Sequence, residues 1–389
     1  HPPTPRSPHP FKGGIWRSLR YTPSATETIT ELLQFVTNSR AIPTTSTLDQ
    51  LISQLLVYLR TDRYLIALDD WESLLQEGEL AGYCTKEHEG YSRLLKRLAE
   101  EQHQSCLLLI SWDQPVELTS ADKDAPVFVF KLRGLQSEEA ERLLTTRGFS
   151  PDEPGLIELI QIHRGNPAAL KIAATTIQEL FDGDISQFLA QTSLVLGDVL
   201  ISRLDHQFGR LSDLEKSVMY WLSIAGQPIS LAVLKEEVRT VSRSDLIAAL
   251  ESLRRRSLID KHSDFPGEVL FVLEPVVMKY VSQRLVTQVC LDFMNTIRTQ
   301  SLEKLGMLRS HALIRLQDPD EVQQVQTRLI LHRIRNHLIA TLDGNLDRLR
   351  THLETILTLL RTQHIQPFGY AEFNLVKLLE ITKALSSFS

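Results

Sequence analysis

The sequence predicts a multi-domain protein of the α/β plus α class, and three observations carry that expectation. Short, wholly apolar runs alternate with helical patterns through the first third of the chain, as in a parallel sheet. From Gly134 onward only helical periodicity continues for some seventy residues. Residues 206–290 then hold three helical patterns followed by two short strand patterns, the order of a winged helix. The expected parts are a proline-rich disordered leader over 1–14, an α/β domain over 15–132, a helical domain over 133–205, a winged helix over 206–290 and a helical linker over 291–389.

In chain order, five prolines in the first ten positions cannot pack a core, which predicts the leader. Ile15–Arg20 reads as a short strand, and Ser24 with Glu27 three residues on is a capping box opening a helix through about Thr37. Leu48, Leu51, Ile52, Leu55, Leu56 and Leu59 have helical spacing. Tyr64–Leu68 is a continuous apolar run ending in Asp69 and Asp70, which suits a central strand buried on both faces. Tyr91, Leu94, Leu95 and Leu98 mark the next helix. Cys106–Ile110 is a second apolar strand and Val127–Phe130 a third, shorter one. Helices are expected from Ser137, from Pro154 to His163, and from Pro167 to Phe181. Arg164-Gly165-Asn166-Pro167 supplies a stop, an N-cap and a first-turn proline between the last two. Three helices carrying Val218, Leu231–Val238 and Asp245–Arg256, the strands Ser257–Asp260 and Val269–Leu273, and a turn at 264–267 make the winged helix.

Composition excludes several classes. With 389 residues, 42% hydrophobic and 23% charged, the chain is long enough for two to four ordinary cores. A net charge of −6 provides no global basic field toward nucleic acid or an anionic membrane. Cys84, Cys106 and Cys290 are odd in number and far apart, which argues against a disulfide framework or paired zinc ligands and for a reducing cytoplasm. No apolar run approaches the roughly 18 residues a membrane span needs. His1 in place of an initiating Met predicts a fragment or processed piece.

Asp69 and Asp70 carry the chemistry. Ligands of open α/β sheets collect at the carboxyl ends of strands. Two acids there can hold magnesium through its water shell and orient an attacking water. This is the Walker B pattern, although an apolar strand also ends in Asp to cap a helix or begin a turn.

Further blocks agree with it: Ile15–Arg20, Leu65–Ser73, Gln104–Ser111, Gly165–Phe188, Leu211–Leu222 and Ala249–Val281. On these the chain resembles the NB-ARC signal-transduction ATPases of the STAND class, and within them the bacterial, especially cyanobacterial, members in which WD repeats follow. The resemblance implies a P-loop NTPase-like sheet and an ADP/ATP-gated switch that uses magnesium. It implies Asp69 as the magnesium-associated acid, Asp70 as the catalytic or water-orienting acid, and Gly165, Asn166, Pro167 and Leu170 as the motif whose proline packs on adenine. It also implies protein partners engaged through C-terminal repeats and homo-oligomer assembly on activation. A plain helix–turn–helix corner is the other reading of 165–170.

The departures are specific. The phosphate loop, expected before Ile15, is missing, and the chain contains no Gly-Lys pair. The sheet is therefore expected to be truncated, lacking a central strand and leaving an apolar flank to cover. Trp112 stands where members commonly carry a phosphate-sensing Arg, and Glu274-Pro275 where they place His-Asp. The expectation is an incomplete or degenerate switch module in which hydrolysis is not supported; the alternative is a non-catalytic interaction scaffold. Arg254-Arg255-Arg256 sits at a helix C-terminus, where cations favour the dipole, so nucleic acid is not an expected partner. His332 and His337 lack a third ligand at useful spacing, and His88-Glu89 has no second histidine to make a zincin motif.

Overall fold

The structure, a computed structural model, describes residues 10–38, 46–118, 127–191, 197–238, 241–262, 269–362 and 369–386. Residues 1–9 of the leader expected over 1–14 and the turn expected at 264–267 lie outside these residues, and Gly13 and Gly14, expected in the leader, begin a strand. The chain divides into two compact units, each taken by itself below. The first holds His1–Leu132, Gly209–Ser212 and Ala248–Leu258; the second holds Arg133–Phe208, Asp213–Ile247 and Ile259–Ser389.

In the first unit the apolar runs form a parallel sheet of β1 (Gly13–Ser18), β2 (Tyr64–Asp69) and β3 (Cys106–Leu109), in the order β1-β2-β3. Ile15 lies beside Ile66 and Ile66 beside Leu107; Trp16, Ala67 and Leu108 form the adjacent row. Because side chains alternate along a strand, these rows point to opposite faces. The first face is covered. Tyr64, Ile66 and Leu68 join a core with Ile29, Leu33, Ile52, Leu55, Leu95 and others from α1 (Ala25–Val36), α2 (Leu48–Thr61) and α3 (Glu89–Glu100). Ser24 and Thr47 cap α1 and α2, each accepting a bond from the amide three residues on, and Thr47 with Gln50 completes a capping box.

The second face is largely open: Trp16 is 55% and Leu108 46% exposed, with Ala67 buried between them. A parallel sheet ordinarily has both faces covered, and here Trp16 and Leu108 leave one face apolar and exposed. The strand expected at Val127–Phe130 is absent. Those residues are irregular and solvent-exposed, Phe128 by 80% and Phe130 by 83%. A strand exists only through a neighbouring strand's hydrogen bonds, and this segment has none in the sheet.

The second unit is helical apart from a small antiparallel sheet. Near its start, α4 (Ser137–Thr145), α5 (Leu156–Ile162), α6 (Pro167–Leu180) and α7 (Ile185–Gln191) enclose a core of Leu144, Leu159, Leu170, Ala174, Ile177 and Phe188. Then come α8 (Asp198–Gly209), α9 (Asp213–Ala225), β4 (Ile229–Ser230), α10 (Leu231–Glu237), α11 (Arg243–Arg255), β5 (Ile259–His262) and β6 (Leu270–Leu273). The strands pair antiparallel in the order β4-β6-β5. The helices and strands expected for 206–290 are thus present, with the short β4 in addition. Residues 209–212 and 248–258 of that stretch belong to the first unit. The remainder is helical, from α12 (Pro275–Thr299) through α13 (Gly306–Ser310), α14 (Asp320–Gln326), α15 (His332–Thr341) and α16 (Leu346–Thr362) to α17 (Ala371–Ser386). Among the described residues no helix is long and apolar enough to cross a membrane.

Candidate functional site

Asp69 is the last residue of the middle strand, in register with Ser18 at the end of β1. Both lie on the open face, since they follow Ala67 and Trp16 by two residues. Asp70 turns the chain out of the sheet in the left-handed region, φ 58°, a conformation Asp tolerates better than most residues. Its Oδ2 accepts a 2.7 Å bond from the Ser18 hydroxyl, and its amide donates to Asp69 Oδ1 at 2.9 Å. The two acids and Ser18 therefore form one oxygen cluster at the carboxyl edge. Asp69 and Asp70 are both half-buried.

A third acid, passed over in the sequence reading, adjoins them. Glu72 is 7% exposed, and its Oε2 accepts from the Trp112 amide at 3.3 Å, tying the exit of β2 to the exit of β3. Burial raises its pKa, the Trp112 amide and Ser111 hydroxyl oppose that shift, and the charge on Asp70 adds to it. The detectable signal was the acid three residues beyond Asp69, hidden because it follows a tryptophan inside an apolar pattern. Trp112 itself, at the expected phosphate-sensor position, is 37% exposed.

This donor set is oxygen only, which is what magnesium takes when it keeps several waters and binds through one or two carboxylates. Among the described residues no group of three His, Cys, Asp or Glu side chains is placed to hold an ion by itself. Asp69 and Asp70 are the carboxylates at this edge that could take part in holding such an ion. The usual phosphate grip, a Gly-Lys loop, has no counterpart in the sequence.

Gly165, Asn166, Pro167 and Leu170 belong to the second unit. Arg164 and Gly165 are both left-handed, φ 47° and 65°, which reverses the chain between α5 and α6. The Asn166 side chain caps α6 through the Ala168 and Ala169 amides, with Pro167 in the first turn. Leu135 donates its amide to the Gly165 carbonyl at 2.8 Å, and a Cβ on Gly165 would lie 2.1 Å from the Leu135 carbonyl oxygen. Pro167 is exposed, whereas Leu170 is fully buried in the helical core. Packing alone accounts for Leu170, and Pro167 faces solvent.

The charged run 254–256 also finds its place. In the first unit, Arg256 is 3% exposed and Nη1 donates to Asp113 Oδ2 at 2.8 Å. Arg210 approaches the same oxygen at 3.6 Å. Ser252 Oγ accepts from the Ala81 amide, and the Arg255 carbonyl accepts from Gln114. Part of the run is committed inside the protein.

No family model matches the chain. It is 37% identical, over 94% of its length, to an uncharacterized WD repeat-containing protein of Nostoc sp. PCC 7120. The chain spans about a third of that relative, 31% of its length. Among solved structures it is similar to a Walker-type ATPase of Pyrococcus abyssi, with 14% identity, TM-score 0.43, and 69% of this chain and 84% of that one covered. The Aeropyrum pernix Orc1 protein in complex with DNA gives 16% identity, TM-score 0.31, and coverage of 70% and 78%. A STAND protein with a tetratricopeptide repeat sensor from Pyrococcus horikoshii gives 12%, 0.28, and coverage of 96% and 52%. With TM-scores below 0.5, these likenesses establish neither a common fold nor a common function.

Proposed function

We propose that the chain is a nucleotide-gated signalling module of the NB-ARC type, cytoplasmic, built around adenine nucleotide and magnesium. The carrying observation is the pair Asp69 and Asp70 at the carboxyl end of the middle strand of a parallel sheet, joined there by Ser18. In this reading Asp69 holds the hydrated ion, Asp70 orients water, and Gly165, Pro167 and Leu170 shape the adenine-binding corner, Pro167 by contact and Leu170 by packing. The small antiparallel sheet and its helices act as the winged helix of such a switch. The open face of the first unit's sheet fits a missing layer, one that would include the phosphate loop. The name of the Nostoc relative supports a parent protein in which WD repeats engage a partner, and oligomer assembly on activation goes with that reading.

A specific observation favours the second reading, an interaction scaffold without nucleotide: the sequence holds no Gly-Lys pair, and Trp112 replaces the phosphate-sensing cation. Titrating the chain with a fluorescent ADP analogue in magnesium separates the two. The switch reading expects binding weaker than about micromolar, dependent on magnesium, and about tenfold weaker still in Asp69→Ala, the equivalent of roughly 1.4 kcal/mol. Binding indifferent to magnesium and to Asp69→Ala would leave the acids a structural role only and would favour the scaffold. Tight binding would show that the phosphate grip is supplied elsewhere.

A further inference from the structure

Between Glu321 and Asp343 the sequence runs for 21 residues without an acid, and that stretch holds Arg328, His332, Arg333, Arg335 and His337. In the second unit it lies on one continuous helix: α14, a wider π turn at Thr327–Leu331, and α15. Exposed residues recur along it at 324–325, 328–329, 333, 336–337 and 340–341. A spacing of four overruns an α turn of 3.6 residues by about 40° each time, which would wind this row around the helix. The π turn takes an additional residue into one turn and reduces that drift, so the row stays toward one side. The result is a solvent-facing strip roughly 27 Å long at about 1.5 Å per residue.

The strip is cationic, and no carboxylate answers it. Among the described residues Arg328 and Arg333 take part in no ion pair and no side-chain hydrogen bond. Arg335 is buried, and its guanidinium donates to the Ile381 carbonyl at 3.2 Å and to Asn336 Oδ1 at 3.0 and 3.1 Å, all neutral acceptors. Lys279 of α12 stands within reach of the Arg333 charge: burial, and after it that charge, hold its ammonium below its ordinary pKa. The acids of α16 and α17 are committed elsewhere, Asp347 to Arg350, Glu354 to Lys383, Glu372 to Arg361 and Glu380 to Lys377. Val325 and Leu329, exposed and one turn apart, lie beside Arg328 on the same strip. Cations next to exposed aliphatic side chains select an anion that brings apolar surface with it.

We propose that this strip docks an acidic segment of a protein partner, its carboxylates pairing with Arg328 and Arg333 and its apolar side chains covering Val325 and Leu329. The planar guanidinium suits carboxylate pairing. Nucleic acid fits less well, because its phosphates would lie against Val325 and Leu329 without gain. The strip is also bracketed by exposed acids, Asp320 and Glu321 at one end and Asp343 at the other, which repel a duplex running past it. The proposal does not rest on nucleotide binding, which concerns other residues.

The test uses the full chain and a fluorescein-labelled peptide, Glu-Leu-Leu-Glu-Glu-Leu-Leu-Glu between terminal glycines, followed by anisotropy. Binding is expected on the order of 10–100 μM, weakening as salt rises from about 50 to about 500 mM. The analogue with Gln for every Glu loses the charge, and the one with Ala for every Leu loses the apolar surface. Each should bind about tenfold more weakly. The double variant Arg328→Glu/Arg333→Glu should abolish binding, and Arg328→Gln/Arg333→Gln should weaken it about tenfold. These positions are exposed, so unchanged thermal unfolding shows that the loss is not misfolding. Arg93→Glu, a charge reversal at an exposed arginine of the first unit, should leave affinity within about twofold. Equal binding of the Gln analogue, normal binding by the double variants, loss of binding in Arg93→Glu, or no binding at about 1 mM peptide would overturn the proposal. Equal binding of the Ala analogue, or displacement by a DNA duplex at the peptide's own concentration, would replace the protein segment with a general polyanion.

Discussion

Asp113 is one carboxylate set against two buried guanidiniums, and that ratio decides how the site responds to mutation. Arg256 donates to it at 2.8 Å and also to the Glu79 carbonyl at 2.8 Å, while Arg210 reaches the Leu75 carbonyl and the partly exposed Glu77. The Nε of Arg210 is buried without a partner. Besides the carboxylate, both guanidiniums donate to carbonyl oxygens. Removing one member of such a set leaves uncompensated charge in the interior, a loss of about 3–5 kcal/mol. Asp113→Ala is therefore expected to lower the free energy of unfolding, read from urea titration, by that amount, whereas Glu77→Ala, removing a carboxylate that is 64% exposed, should cost under about 1 kcal/mol. Comparable losses from the two variants would show that Asp113 is not the centre of the network. Sequence could not have disclosed this triad: the run 254–256 is visible, but Asp113 and Arg256 are 143 positions apart and no local pattern pairs them. The strand-end acids were legible because their signal is local, an apolar run ending in Asp. Glu72 was missed for the converse reason, its importance arising from the Trp112 amide contributed by another strand.

At the scale of elements, what could be read was what local periodicity determines. The stripes at 48–59 and 91–98 became helices with all of those leucines buried except Leu48, which is partly buried, and Ser24 and Asn166 cap the helices they precede. Val127–Phe130 failed because a strand's stability lies in its neighbour and not in its own β-branched and aromatic residues. Two glycines show the same dependence on a distant partner. A Cβ on Gly134 would meet the Arg164 carbonyl oxygen at 1.9 Å, and one on Gly165 the Leu135 carbonyl oxygen at 2.1 Å, so two chain segments cross with their backbones in contact. Gly165 has in addition the φ of 65° that side chains disfavour. Gly165→Ala must therefore both strain a left-handed residue, about 1–3 kcal/mol, and separate the two segments. We expect a loss of at least about 2 kcal/mol from these terms together, read by chemical denaturation. Gly183→Ala serves as the control: it is also left-handed but has open space around it, and should cost the left-handed strain alone, less than Gly165→Ala. Equal effects would mean that the crossing itself contributes nothing.

At the scale of the whole molecule, the helical second unit carries a pH dependence that its composition does not suggest. His311 is 3% exposed, with its ring 5.0 Å from that of Trp221 and 5.7 Å from that of Tyr220. Nδ1 lies 2.7 Å from the Ser310 hydroxyl, and Nε2 3.2 Å from that of Ser217. Burial pulls its pKa from 6.5 down to about 4, because the imidazolium would lose its hydration among aromatic rings; the Ser217 carbonyl opposes this only in part. The folded protein therefore keeps His311 neutral where the unfolded chain already binds a proton. Its contribution to stability is complete above pH 6.5 and is withdrawn as pH falls toward 4, since the unfolded state takes up the proton first. At 1.36 kcal/mol per pKa unit, a displacement of this size corresponds to about 3 kcal/mol. Carboxylates and other buried histidines titrate over the same range, so the wild-type curve alone cannot isolate it. His311→Gln, which retains hydrogen-bonding capacity and cannot titrate, provides the subtraction. The stability of wild type minus variant, measured by urea unfolding at pH 7, 6, 5 and 4, is expected to shrink by about 3 kcal/mol as pH falls. A constant difference across those four points would mean that the ring is protonated at its ordinary pH despite its burial. The packing around Trp221 would then have to open to water in the folded state.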